Sequence, residues 1–405
     1  MADLPVVLLF APHPVRLQTL SSPHLREARE LDCRCYISDE NLNAILSRER
    51  PDVIASFGNR DEYPRLQSAP YEVQSRWLHF EADVSSHADL ERAGAMVFCL
   101  FLHRVFGIDS ESTGCRTPLV SVFTPTFRTG ERIHRAYRSL QLQTYNNWEW
   151  VVVDDSDDGG TTLQILRSLA EAEPRLSVHS LHRHSGRIGE LKRRACALSR
   201  GGILVELDHD DELTPYALFD IVRVLQENSQ VGFVYSDWAE VDEGSRKSLR
   251  YDDGWAFGYG SYRTEVHSGQ VLFVANAPPL NAQTIRHIVG VPNHVRAWRR
   301  GEYWKIGGHN PGLHVADDYE LLLRTFLHTH MEHIPKLCYI QYLNTGGNTQ
   351  DVRRDEIQRL VRCIREHYER QIHERLLQLN LPDPIRGRDD DDRATEMVEG
   401  IMPNE

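Results

Sequence analysis

Ile203-Leu204-Val205-Glu206-Leu207-Asp208-His209-Asp210-Asp211-Glu212-Leu213 is the stretch whose reading decides the fold. An apolar, β-branched-rich run stops in three aspartates within four positions, and Thr214-Pro215 then opens an apolar helical pattern. This reads as a buried strand that delivers carboxylates to its C-terminal edge, followed by a helix beginning at Pro215. Open α/β sheets bind ligands at that edge. Three close carboxylates repel one another unless a cation lies among them. Hard oxygen donors suit magnesium or manganese, and those ions suit phosphates. A solvated acidic turn is the plainer alternative.

Working outward, strand-like and helix-like segments alternate on the upstream side. Leu119 to Phe123 reads as a strand closed by Thr124-Pro125-Thr126, followed by a helix over about 131–142. Trp148 to Val153 is the next strand and ends in Asp154-Asp155-Ser156-Asp157-Asp158-Gly159-Gly160. A helix over 162–172, a strand over 176–180 and a basic loop and helix over 183–199 complete the approach. Strand and helix in alternation, with a small-residue or acidic turn after each strand, is the pattern of a parallel sheet. The first hundred or so residues form a smaller α/β unit of Rossmann-like pattern, with strands over 5–10 and 52–57 and helices over 40–50 and about 88–106. It lacks Gly-x-Gly-x-x-Gly, so no dinucleotide site is expected there. Acceptor binding, packing or dimerisation remain open for it. A polar linker over 109–118 separates the two units. Downstream, Ile357, Leu360, Val361, Ile364, Tyr368, Ile372, Leu376 and Leu377 recur at helical spacing, which predicts a long amphipathic helix over 351–379. Core coverage, homodimerisation and membrane contact are its open roles, in that order, because its polar face mixes acids with bases.

The chain has 405 residues and a net charge of −13, which argues against broad nucleic-acid or anionic-membrane affinity. Part of the excess is the run Asp389 to Asp392. Seven cysteines are scattered, with Cys33 and Cys35 as the one close pair, and read as reduced structural thiols. No apolar run reaches membrane-spanning length, and the start lacks the basic residues of a signal peptide. The expectation is a cytoplasmic protein, with peripheral contact with the inner face of a membrane left open.

Four segments, in this order, carry a resemblance: 120–126 (Val-Ser-Val-Phe-Thr-Pro-Thr), 151–156 (Val-Val-Val-Asp-Asp-Ser), 207–211 (Leu-Asp-His-Asp-Asp) and 316–321 (Ala-Asp-Asp-Tyr-Glu-Leu). Over about residues 117–350 the chain resembles a family 2 glycosyltransferase of the GT-A fold. The resemblance implies an α/β GT-A domain there and says nothing direct about residues before about 117; the patterns above add a Rossmann-like unit (1–110) before it and the helix and acidic tail (351–405) after it. It implies a metal-dependent, inverting glycosyltransferase that moves a sugar from a nucleoside diphosphate donor, uridine diphosphate foremost, to a hydroxyl acceptor. Bacterial glycan or glycolipid assembly is the usual setting. A non-catalytic nucleotide-sugar scaffold and a metal-dependent phosphohydrolase are the rivals. The metal cluster together with Asp318 speaks against the first. Against the second, there is no spread of His and Asp ligands for two metals.

The resemblance also assigns residues. Thr124, Pro125 and Thr126 would hold base and ribose, and Asp155 would accept from the N–H of a pyrimidine, while Asp154 forms the turn. Arg187 would contact the base. Lys192 stands where the family usually has arginine, and Arg193 where it commonly has asparagine. Asp208 would touch ribose, and Asp210 and Asp211 would ligate Mn2+ or Mg2+, with His209 facing into packing. Asp318, placed by its distance from Arg324, would be the general base, with Asp317 as a helix cap. Gly290 to Gly308 lies where the family has its acceptor side. A carboxylate-only metal site is the simpler expectation, with His309 and His314 as minor candidates.

Overall fold

The computed structural model describes residues 6–10, 32–36, 42–49, 53–57, 62–67, 69, 73, 77–80, 118–181, 184–252, 254–344 and 353–385. The expected helix over 88–106, the linker before Pro118, His182 and Arg183, and Asp389 to Asp392 lie outside them.

The N-terminal unit is a parallel sheet of β1 (Val6–Phe10), β2 (Asp32–Tyr36), β3 (Val53–Phe57) and β4 (Trp77–Phe80), in the order β2-β1-β3-β4. Helix α1 (Leu42–Glu49) and the single turn α2 (Pro64–Gln67) accompany it. Leu42, Ile45, Ile54, Tyr63, Leu66 and Trp77 make its core. Inside, Trp77 Nε1 donates to Ser56 Oγ at 2.8 Å, and Ser56 Oγ lies 2.8 Å from His79 Nδ1.

The larger unit is built on a mixed sheet. Its first half is parallel: β5 (Val120–Thr126), α3 (Ile133–Gln141), β6 (Trp148–Asp154), α4 (Thr161–Ala172), β7 (Leu176–Ser180), α5 (Ile188–Leu198) and β8 (Ile203–Glu206). β5 and β6 are buried along their whole length, as near-continuous apolar runs in a two-sided sheet should be. β5 pairs with β6 on one side and β8 on the other, both parallel. Gly201 has no room for a Cβ, because one would collide with the Leu119 carbonyl. Gly189 likewise lets α5 approach the Asn310 carbonyl.

After β8 the chain makes a two-residue strand, β9 (Glu212–Leu213), and α6 runs Ala217–Glu227. The helix starts two residues later than expected at Pro215, because β9 pairs with β15 and the Thr214 N–H bonds the Cys338 carbonyl. Next come β10 (Val231–Asp242), β11 (Ser248–Leu249), β12 (Ser261–His267), β13 (Gln270–Asn276), α7 (Thr284–His287), β14 (Arg296–Arg299), α8 (Arg300–Lys305), α9 (Asp317–His328) and β15 (His330–Leu343). β14 is antiparallel to both β8 and β10, and β15 runs parallel to β10. This is a mixed α/β sheet of the kind the GT-A resemblance implies, with the ends of β5, β6 and β8 opening on one edge.

The amphipathic pattern near the C-terminus becomes α10 (Arg354–Gln378). Its buried Val361, Ile364, Tyr368, Ile372 and Leu376 pack with Tyr319, Leu323 and Phe326 of α9. Each fully buried side chain of this size stabilises the fold by about 1.5–3 kcal/mol. The buried Arg286 of α7 fastens the same helix at Glu369, 2.8 Å away, and the segment after it at Asp383, 2.7 Å away. Among the described residues no helix is long and apolar enough to cross a membrane.

Candidate active site

The ends of β5 and β6 are tied together before any ligand is considered. Thr124 Oγ1 donates to the Leu207 carbonyl at 2.7 Å and accepts from Trp150 Nε1 at 2.8 Å. Thr126 Oγ1 donates to Asp154 Oδ1 at 2.8 Å. Both hydroxyls are thus turned inward, and what the Thr124-Pro125-Thr126 turn offers outward is backbone. Asp154 also accepts from Ser156, which makes it the turn former. Asp155 is buried and accepts from the amides of Ser185 at 2.8 Å and Gly186 at 3.1 Å. The His184 ring lies against the same carboxylate and stacks on the exposed Phe127 ring, centroids 4.8 Å apart. Asp155 therefore anchors the segment that leads into α5. Arg187, just before that helix, is exposed.

The carboxylate turn follows β8. Asp208 and Asp210 are partly exposed, whereas Asp211 is buried. Asp211 Oδ2 accepts from the Tyr339 hydroxyl at 2.8 Å, and its Oδ1 accepts from the Tyr342 N–H at 2.7 Å. The Tyr339 hydroxyl in turn accepts from the Asp208 N–H at 3.1 Å. Asp210 Oδ2 accepts from Asn344 at 3.1 Å, and its carbonyl is held by Arg135. Burial pushes the Asp211 carboxyl well up, and Asp210 and Asp208 add to this. For Asp208, burial and the neighbouring Glu206 and Asp210 outweigh Lys192, and the carboxyl is pushed up to about 6. Among the described residues, the turn holds more negative charge than its surroundings neutralise.

Asp317 and Asp318 open α9 from Ala316, whose φ of 58° lies in the left-handed region. A residue with a side chain adopts that conformation at a cost of about 1 kcal/mol or more. The two aspartates then part. Asp317 is buried, with Oδ2 3.2 Å from Lys192 Nζ, and burial pushes its carboxyl up to about 6 against the pull of Lys192. Asp318 is part-exposed. Its Oδ1 accepts from the Tyr319 N–H at 2.8 Å and its Oδ2 from Arg296 Nη2 at 3.2 Å.

A buried charge cluster joins the two acidic segments. Glu206, fully buried at the end of β8, lies 2.7 Å from Lys192 Nζ and 3.7 Å from Arg296 Nη1. Burial pushes the Glu206 carboxyl up, but Lys192 and then Arg296 outweigh it and hold it well below the usual carboxylate range. Lys192 is held well above the usual ammonium range, Asp317 and Glu206 together outweighing its burial. His294 and His309 line the cluster, and burial pushes both imidazoles well down, so they are neutral. His294 Nε2 is 3.5 Å from Asp208 Oδ2, and its ring stacks on Tyr339 at 4.2 Å. His309 Nδ1 pairs with the Tyr303 hydroxyl at 2.8 Å.

The structure thus gathers Lys192, Asp208, Asp210, Asp211 and Asp318 around β8, and puts Thr124, Pro125, Thr126 and Asp155 on the neighbouring strand ends. Lys192 is committed to an internal ion pair, and Asp211 to β15. His314 stands apart, paired with Glu356 at 2.7 Å. Glu206, Arg296 and Tyr339 were not singled out from the sequence. A glutamate inside an otherwise apolar strand was the available signal, since a buried carboxylate needs a cationic partner. Among the described residues no three His, Cys, Asp or Glu side chains converge as a ready-made metal cage. The two part-exposed carboxylates of the turn nonetheless fit a hard divalent ion by donor chemistry and by their uncompensated charge.

Known proteins are similar to parts of this chain. The chain is 28% identical over 237 residues to a chondroitin synthase of Escherichia coli, covering 58% of this chain and 30% of that one. It is 26% identical over 213 residues to the O-antigen biosynthesis protein RfbC of Myxococcus xanthus, covering 52% and 14%. Poly(ribitol-phosphate) β-N-acetylglucosaminyltransferase TarP of Staphylococcus aureus is 31% identical over 113 residues, covering 27% and 34%. The chain therefore spans about a third or less of each of these relatives. Among solved structures, S. aureus TarS 1-349 in complex with UDP-GlcNAc aligns with a TM-score of 0.45 at 19% identity, covering 64% of this chain and 72% of that one. The family model for glycosyl transferase family 2 matches residues 121–277, from β5 through the carboxylate turn to β13. Over this segment the chain is similar to glycosyl transferase family 2.

Proposed function

We propose that the protein is an inverting glycosyltransferase that moves a sugar from a nucleoside diphosphate, uridine diphosphate foremost, to a hydroxyl acceptor in glycan or glycolipid assembly. The observation that carries this reading is the shared cation pair. Lys192 and Arg296 each touch Glu206 on one side and an aspartate of α9 on the other, so a charge-crowded turn and a part-exposed carboxylate meet in one place. Residues from about 117 onward would contain the whole donor site, with the N-terminal unit serving acceptor binding or assembly.

In this reading the nucleotide base lies by Asp155, whose Oδ1 accepts, among the described residues, the Ser185 amide and keeps a lone-pair direction for a base N–H. Asp208 and Asp210, the part-exposed pair, would hold Mn2+ or Mg2+ in place of the Asp210 and Asp211 expected from the sequence, while the buried Asp211 fixes the turn against β15. When bound, the ion supplies Lewis-acid stabilisation of charge on the leaving diphosphate. Asp318 takes the proton from the acceptor hydroxyl as the acceptor oxygen bonds to the anomeric carbon and the bond from that carbon to the diphosphate oxygen breaks. Attack from the opposite face inverts the centre. Arg296 orients Asp318 through one oxygen, and the Tyr319 N–H fixes the other.

Asp318→Asn keeps the shape but removes the base. It should lower transfer by roughly 10²–10⁴-fold while leaving nucleotide affinity near wild type. Equal transfer rates in variant and wild type would move the base elsewhere, and loss of nucleotide binding would make Asp318 part of the donor site.

A further inference from the structure

The chemistry above leaves one surface unused. β10 brings Trp238 into register with Tyr339 of β15, whose hydroxyl holds the carboxylate turn. In-register neighbours on paired strands face the same side of a sheet. From Trp238 a chain of rings leads outward. Trp255 meets Trp238 edge-on at 5.8 Å, and Tyr251 and Tyr262 meet Trp255 at 5.6 and 5.7 Å. Tyr251 of this chain of rings is 50% exposed, and in the turn that follows Trp255 the Phe257 and Tyr259 rings are 55% and 45% exposed.

The turn that displays them is built against local preference. Ala256 and Phe257 both have left-handed backbone, with φ of 55° and 57°. Gly260 leaves no space for a Cβ beside the Trp255 indole. Two successive side-chain-bearing residues in that region are rare without a reason to hold a particular display. Phe257 also forms one wall of a cavity of about 370 Å³, completed by Gln283, His287, Pro384 and Ile385. That size is at the lower end of small-molecule sites.

None of these five lining residues carries a fixed charge. Arg365 lies 3.0 Å from His287 Nδ1 and can only donate there, so the ring proton belongs on Nε2. Burial, Arg365 and Arg286 push the imidazole below its usual range and keep it neutral. The nearby Arg286 is already saturated by Glu369 and Asp383. The site therefore offers flat apolar faces, one amide and one neutral imidazole. A sugar ring presents the complement, an apolar C–H face with hydroxyls around its edge. A phosphate headgroup would find no free cation among the lining residues.

We infer that the Tyr251–Tyr259 ledge and the cavity beside Phe257 bind the saccharide chain of the acceptor, with the aromatic rings stacked on sugar faces and Gln283 and His287 bonded to hydroxyls. This rests on the glycosyl-transfer reading and narrows its acceptor to a carbohydrate.

The test uses the full chain with cellohexaose and chitohexaose as probes, titrated by saturation-transfer NMR, and with UDP plus Mn2+ titrated separately. At least one hexasaccharide should bind wild type. Phe257→Ala and, independently, Tyr259→Ala should each weaken it up to about tenfold, the range of one aromatic stacking contact. Phe257→Trp should retain binding, and UDP affinity should not change in any variant. The inference is overturned if neither hexasaccharide binds wild type, or if both alanine variants bind as well as wild type. It is equally overturned if Phe257→Ala instead loses association with phosphatidylglycerol vesicles. Failure of UDP to bind wild type would count against the donor reading, and the hexasaccharide titrations would still decide the ledge.

Discussion

Two turns in this protein have nearly the same composition and opposite electrostatics. The turn after β6 holds Asp154, Asp155, Asp157 and Asp158, and the turn after β8 holds Asp208, Asp210 and Asp211. In the first, every carboxylate meets donors. Asp154 has Thr126 and Ser156, Asp155 has Ser185 and Gly186, Asp157 has Arg128, and Asp158 has both the N–H and hydroxyl of Thr162. Hydrogen bonding by Arg128 and by Thr162 lowers the carboxyls of Asp157 and Asp158 respectively. In the second turn, burial and mutual repulsion raise Asp208 and Asp211. A cluster of aspartates is thus a statement about charge only once its donors are counted. The first turn is satisfied by protein, and the second is left with charge that a cation would neutralise.

The sharpest way to break this contrast is Asp210→Asn, which halves the part-exposed charge of the second turn. Transfer should fall by about 10²-fold or more, on the scale of several kcal/mol of lost charge stabilisation. The tightening of UDP binding by Mn2+ should disappear in calorimetry. Undiminished tightening would place the cation elsewhere.

Asp155→Ala probes the satisfied turn. A hydrogen bond to a charged acceptor is worth about 1.5–3 kcal/mol, so UDP affinity should drop roughly 10- to 150-fold whichever sugar is attached. Full affinity with unaltered base preference would mean that Asp155 serves only the 184–186 segment.

The smallest effect is in pH. The native state raises Asp208 and Asp317 to about 6, above an ordinary aspartate near 3.9, so between about pH 4 and 6 it binds protons that the unfolded chain has released. The contribution of these two groups to stability therefore falls as pH rises through that window. A divalent ion held at the ionised turn, as proposed, would offset the loss above pH 6. Thermal unfolding should show a larger Mn2+-induced rise in Tm at pH 7.5 than at pH 5, by a few degrees. An equal rise at both values would show that the second turn is not the titrating partner of the ion.

These contrasts mark what could be read from the sequence. β5, β6 and β8 were legible because buried parallel strands are apolar runs that stop at polar turns, and α10 because its apolar spacing is helical. The separate fates of Asp317 and Asp318 were partly legible, since helix geometry sends adjacent residues in different directions. β14 was not, because a strand containing Arg296 and Arg299 reads as surface until Glu206 and Asp318 are brought beside it. The resemblance set Lys192 apart from Arg193 and Arg194, but its burial was not legible. Its burial depends on Glu206 and Asp317, distant in the sequence. The engagement of Asp211 by Tyr339 and Tyr342 depends on β15 in the same way.

The burial of Lys192 has a consequence for chemical labelling. The sequence contains four lysines, at 192, 247, 305 and 336. Lys247 and Lys305 are exposed, and Lys336 is held by Asp220 at 2.8 Å. Amine-reactive reagents need an accessible, deprotonated nitrogen, and Lys192 in the native cluster offers neither. Acylation should therefore mark Lys247 and Lys305 first and leave Lys192 untouched while the core is closed. The appearance of label on that one side chain would time the opening of the site's foundation, in a protein whose 42 other basic side chains are arginines and silent to the reagent.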